Sequence, residues 1–89
     1  MNDLLKKATG TELKKCRISA GKTLIEVSED TKISKDLISR YENGESSMIM
    51  DKFCQLIEYY GLNLAIFFNQ VYTNMYNYKI QNKEQEKEE

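Results

Sequence analysis

Within residues 34–42, Lys35, Asp36, Ser39 and Arg40 fall at spacings that place them on one side of a short helix. Leu37, Ile38 and Tyr41 fall on the other side. The first group offers an ammonium, a carboxylate, a hydroxyl and a guanidinium. Such a set exchanges hydrogen bonds and charge; it has no nucleophile with a base beside it. A guanidinium can pair bidentately with a guanine edge, and a carboxylate can accept from the amine of cytosine. A plainer chemistry is also open. Asp36 and Arg40 are four apart in the favourable order, and pairing on a solvated face would contribute about 0.3–0.5 kcal/mol.

Other chemistries find little support in the chain. There is no histidine, and the two cysteines are Cys16 and Cys54. A metal site needs more ligands close together, so no metal and no cofactor are expected. Both cysteines read as small buried hydrophobes in a reducing compartment, with a disulfide between them as the alternative. No glycine-rich phosphate loop follows a strand, and the carboxylates sit in ordinary helical contexts, so the chain does not read as an enzyme. No stretch reaches the roughly 18 apolar residues of a membrane span, and Met1 to Lys7 does not resemble a signal peptide. A soluble cytoplasmic protein with no membrane partner is expected.

The net charge of -1 and pI near 5.5 are unfavourable for binding a polyanion. The distribution is less so. Glu84, Glu86, Glu88 and Glu89 crowd the last six residues against Lys87, and residues 1–83 hold 12 bases against 10 acids. Affinity for an anion then depends on where the charges lie.

The elements that would position Lys35 and Arg40 follow from glycines and caps, because the chain has 89 residues and no proline. Gly10, Gly21, Gly44 and Gly61 divide it into helix-sized pieces. Thr11 would cap a first helix to about Ala20, with Leu13, Cys16, Arg17 and Ala20 on one face. Thr23 to Glu26 reads as a capping box opening a second helix, with Leu24, Val27 and Ser28 inward. Thr31-Lys32-Ile33 is a tight turn. Ser34 caps the third helix, and Ile33 with Ile38 occupies the positions of a hydrophobic staple. A fourth helix carries Met50, Phe53, Cys54, Ile57 and Tyr60. Asn63 would cap a fifth, with Leu64, Phe67, Phe68, Val71, Tyr72 and Met75 on one stripe. The alternation Leu62, Leu64, Ile66, Phe68 leaves a strand open for residues 62–80. Residues 81–89 form a charged tail.

A short helix, a three- to four-residue turn and a second short helix make a unit that presents one helix edge to DNA. Here the resemblance becomes explicit. Residues 13–68 look like the lambda-repressor/Cro superfamily, the xenobiotic-response-element type of helix-turn-helix. It rests on Thr23 to Gly44, above all Ile38-Ser39-Arg40-Tyr41-Glu42-Asn43-Gly44, with Leu13 and Arg17 before Gly21. The resemblance implies an all-α, five-helix lambda-repressor-like DNA-binding domain with a C-terminal extension. It divides the chain into an N-terminal helical lead (1–10), the helix-turn-helix domain (11–68), an aromatic extension (69–80) and the tail (81–89).

The resemblance also implies roles. Lys35, Asp36 and Arg40 match base-reading positions, with Ser39 nearby. Thr23 and Ser34 match phosphate-contacting positions at helix N-termini, and Asn43 matches a further backbone contact. Arg17 and Glu42 match a structural ion pair between the first and third helices, with a phosphate contact by Arg17 as the alternative. The chain departs from the family at four places. Lys22 stands where a buried leucine is usual, Leu24 replaces a common glutamine, and Lys32 stands where glycine is preferred. Glu45-Ser46-Ser47 replaces a loop that is often basic.

The aromatic stripe from Phe67 to Tyr78 exceeds what so small a core needs. It is read as a homodimer interface formed by Phe67, Phe68, Val71, Tyr72 and Met75. The implied function is a sequence-specific transcriptional regulator, a repressor acting as a dimer on palindromic double-stranded DNA. The alternatives are an antitoxin that binds a protein partner through the C-terminal extension, and a protein-interaction module that has lost DNA binding.

Overall fold

Five helices follow one another in the computed structural model, which describes residues 3–88, with side chains described over 3–77. They are α1 (Asp3–Ser19), α2 (Leu24–Thr31), α3 (Lys35–Glu42), α4 (Met50–Tyr59) and α5 (Leu64–Glu88). No strand occurs among the described residues, so the chain is all-α. Tyr78 and the acidic tail side chains lie outside the described side chains.

Helix α1 runs through Gly10, where the sequence suggested a break and a cap at Thr11. The reason is tertiary. A Cβ at Gly10 would sit 2.3 Å from the Tyr41 carbonyl oxygen and 2.7 Å from that of Glu42. The glycine lets α1 approach the last turn of α3 backbone to backbone. Beside it, the fully buried Thr9 donates its hydroxyl to the Leu5 carbonyl at 2.7 Å, so burial leaves no orphan there.

The remaining glycines end helices as expected. At Gly21 (φ 71°) the chain turns left-handed, and the Lys22 amide donates back to the Arg17 carbonyl at 3.2 Å. Gly44 (φ 69°) and the Glu45 amide close α3 in the same way, onto the Arg40 carbonyl at 2.9 Å. Between them, the capping box at α2 is complete: the Glu26 amide donates to Thr23 Oγ1, and the Thr23 amide to Glu26 Oε1, both at 3.1 Å. Lys32 ends α2 at φ 63°, a left-handed conformation that costs a non-glycine residue about 1–2 kcal/mol. The turn offsets this cost with bonds around it. Thr31 donates its hydroxyl to the Val27 carbonyl at 2.7 Å, and Gln55 donates to the Thr31 carbonyl at 2.8 Å.

Leu13, Val27, Ile33, Ile38, Tyr41, Phe53, Leu56, Ile57, Phe67 and Val71 form the core, with Cys16 at its edge. Each large side chain fully buried contributes about 1.5–3 kcal/mol. Phe53 meets Phe67 edge-on at 5.2 Å. In α4 the inward stripe is Phe53, Leu56 and Ile57; Met50, expected there, is exposed, and Cys54 is half-buried. Both cysteines are free thiols. Asn63 caps α5 by accepting from the Ile66 amide at 2.9 Å. Leu64 and Ile66 are exposed while Phe67 and Val71 are buried, a four-residue spacing that excludes the strand alternative.

Phe67 and Val71 also correct the expected dimer surface: both are spent in the chain's own core. Helix α5 packs along α1, where Asn74 donates to Glu12 at 3.3 Å. Phe68 and Met75 are half-buried against the same core. Of the five residues expected at a partner interface, Tyr72 alone is exposed.

Gly10→Ala tests the close approach. Inside a free helix the change would stabilise by about 0.5–1 kcal/mol. Here the methyl group must push α1 off α3, and a net loss of about 1–3 kcal/mol is expected. Thermal unfolding followed by circular dichroism measures it; a Tm equal to or above that of the parent contradicts the packing.

Candidate functional site

The outward edge of α3 is the part of the surface where the predicted residues converge. Eight residues form the helix, which is too short to hold its shape unaided, so its environment must hold it. Ser34 caps its start by accepting from the Leu37 amide at 3.1 Å. Ile38, Tyr41 and Glu42 are buried beneath it. The Tyr41 hydroxyl accepts from the Ile49 amide at 3.1 Å, which ties α3 to the start of α4.

The opposite edge is open. Lys35, Asp36 and Arg40 are exposed and Ser39 is half-buried. Among the described residues, none of these four side chains has a hydrogen-bond or ion-pair partner. Asp36 and Arg40 therefore do not form the helical pair their spacing allowed.

Behind the helix, Arg17 and Glu42 form a two-pronged ion pair. Nε donates to Oε2 at 2.7 Å and Nη2 to Oε1 at 3.0 Å. A third donor, Nη1, reaches the Lys22 carbonyl at 3.0 Å. The side chains keep only 12% and 5% of their surface exposed, respectively. The hydrogen bond to Glu42 pushes the guanidinium further above its ordinary range. With three donors turned inward, Arg17 acts as a brace between α1, the α1–α2 turn and α3, the structural role its pairing with Glu42 implied.

The two N-cap hydroxyls keep a use for ligands. Thr23 and Ser34 each accept from their own helix, and neither donates to an acceptor among the described residues. Each hydroxyl proton is free for an external anion. Asn43 is exposed at the far end of α3. The sequence did not single out Lys22 or Ile25 for contact. Both line an open cleft of about 330 Å³ with Arg17, Thr23, Leu24 and Lys35, between the N-termini of α2 and α3. The signal for Lys22 was present: it departs from the family's usual leucine.

Three of the acids around this face have partners within the chain. Glu42 is consumed by Arg17, Glu26 by the α2 cap, and Asp30 accepts from the Tyr59 hydroxyl, which pushes that hydroxyl up to about 12. Burial and then Glu12 push the Cys16 thiol up, which makes it a poor nucleophile. No group of three metal-ligating side chains occurs among the described residues, and none of their helices is long and apolar enough to cross a membrane.

Three comparisons bear on this geometry. The model of the family described as "Helix-turn-helix domain" matches residues 8–65. The structure is similar to that of the clp gene regulator ClgR from Corynebacterium glutamicum, with a TM-score of 0.85 and 22% identity over 92% of this chain and 87% of that one. A second structure of that regulator gives a TM-score of 0.74 and 24% identity over 80% of this chain and 91% of the other. At these identities the likeness establishes the fold. Comparison with curated proteins gives no match.

The brace makes a quantitative demand. Glu42→Ala leaves a buried guanidinium uncompensated and is expected to cost about 3–5 kcal/mol in urea unfolding. Arg17→Met combined with Glu42→Leu removes both charges and should recover most of that loss. A cost below about 1 kcal/mol for Glu42→Ala would mean that the pair is effectively a solvated one.

Proposed function

This chain belongs to the helix-turn-helix domain family, and from that premise we propose that it is a sequence-specific, DNA-binding transcriptional regulator that reads the major groove with α3. One observation carries the reading. The edge bearing Lys35, Asp36 and Arg40 is exposed and has no partner among the described residues, while the rest of α3 is fixed from behind. Because the backbone of α3 is already ordered in the free chain, meeting a base pair costs only the ordering of the side chains themselves.

In this reading Arg40 donates to guanine O6 and N7, Asp36 accepts from cytosine, and Lys35 and Ser39 read or flank the same steps. Thr23, Ser34 and Asn43 bind backbone phosphates, which fix the register without reading sequence. The protein is a repressor that covers a promoter in the cytoplasm. It acts as a homodimer whose two α3 helices stand about 34 Å apart, one turn of DNA, on a palindromic site. The outward side of α5, with exposed Ile66, Tyr72 and Tyr76, supports a contact between copies. The regulatory role named for the structural neighbour is compatible with this reading at the level of class.

Selection from a pool of random duplexes at low salt tests the proposal. The chain is expected to enrich a pseudo-palindromic site and to lose affinity steeply as salt rises. Arg40→Ala should relax preference at one position of each half-site, a loss of about 1–3 kcal/mol of discrimination. Enrichment of no sequence would refute the proposal.

A further inference from the structure

We propose that Lys22 is a DNA-backbone contact particular to this chain, seating one phosphate in the cleft it shares with Lys35. The proposal rests on the DNA-binding reading above and adds a residue to it. Its basis is the composition of the cleft. Arg17, Lys22, Thr23, Leu24, Ile25 and Lys35 line it, with cations and no carboxylate among them. Arg17 is neutralised by Glu42 from behind. Lys22, Lys35 and Thr23 are left lining one concavity, with no carboxylate in its lining. Like charges held around a shared space favour an anion between them, and the anion that lies beside α3 in the groove-bound state is a phosphodiester.

The backbone of Lys22 is fixed at both of its polar groups. Its amide donates to the Arg17 carbonyl at 3.2 Å, and its carbonyl accepts from Arg17 Nη1 at 3.0 Å. The same brace that holds α3 therefore sets where this side chain begins. The side chain is half-buried and has no ion-pair partner among the described residues. Leu24 and Ile25 give the cleft an apolar wall, along which a lysine stem can lie with its ammonium toward solvent. A leucine in this place would fill the wall and contribute no charge.

The arrangement also addresses a deficit. The loop after α3 is Glu45-Ser46-Ser47, which itself carries no cation. Lys22 supplies one on the other flank, where α2 begins.

The test compares Lys22→Leu, Lys22→Arg and Arg40→Ala with the parent chain on the selected duplex across a salt series. Lys22→Leu should bind every duplex about three- to tenfold more weakly at 0.1 M salt. The slope of log K against log salt should become shallower by about 0.9. Its Tm should not fall, and its preferred sequence should not change. Lys22→Arg should restore both affinity and slope. Unchanged affinity and slope in Lys22→Leu, with Arg40→Ala still relaxing sequence preference, would overturn this proposal and leave the DNA-binding reading standing. A change in preference at one base position would also overturn it, because Lys22 would then be reading sequence. Absence of salt-dependent binding by the parent chain would bring down both.

Discussion

The approach of α1 to α3 is the constraint on which the rest of the structure depends. A helix of eight residues has no stability of its own, so something must hold α3 in register. Gly10 does this by exclusion: its missing side chain lets the Tyr41 and Glu42 carbonyls come within a distance that no other residue would permit. Arg17 does it by attraction, with two donors on Glu42 and one on the turn that leads into α2. Both contacts act on the last turn of α3 and from the same side. The opposite edge is left without a task in the fold, which is the condition for presenting it to a ligand.

The same contacts explain how a chain of net charge -1 can offer a cationic edge. Residues 23–44 contain more acids than bases, yet three of the five acids have partners within the chain. Glu42 lies under α3, Glu26 closes the α2 cap, and Asp30 holds Tyr59. Lys35 and Arg40 have no such engagement among the described residues. Local structure has sorted part of the charge, with three carboxylates used for a cap, a brace and a tyrosine contact while Lys35 and Arg40 stay exposed. A net charge summed along the sequence misses this sorting.

The features decided within a few residues were legible in the sequence. The Thr23 capping box, the Ser34 cap, the Asn63 cap and the left-handed ends at Gly21, Gly44 and Gly61 depend on neighbours in the chain, and each stands where its residues pointed. The unfavourable turn at Lys32 was legible for the same reason. What escaped was set by distant partners. Gly10 looks like a helix end until α3 is laid against it. Phe67 and Val71 look like spare apolar surface until the shared core closes over them. The inward stripe of α4 is rotated so that Leu56 is buried and Met50 is exposed, because α2 and α5 decide which face is inside. At the candidate site, the outward set on α3 was readable from helical period. The cleft at Lys22 was not, since it is formed by residues from α1, α2 and α3 together.

The central claim is that DNA meets the chain along the open edge of α3 and the start of α2, with α5 standing away. Amide chemical shifts of the labelled protein, followed as a duplex carrying the selected site is added, test it most directly. The account predicts the largest shifts at residues 22–23 and 34–40, with the α1–α3 contact at Gly10 and Arg17 undisturbed. Shifts concentrated on α5, or a site-independent change spread over the whole chain, would contradict it.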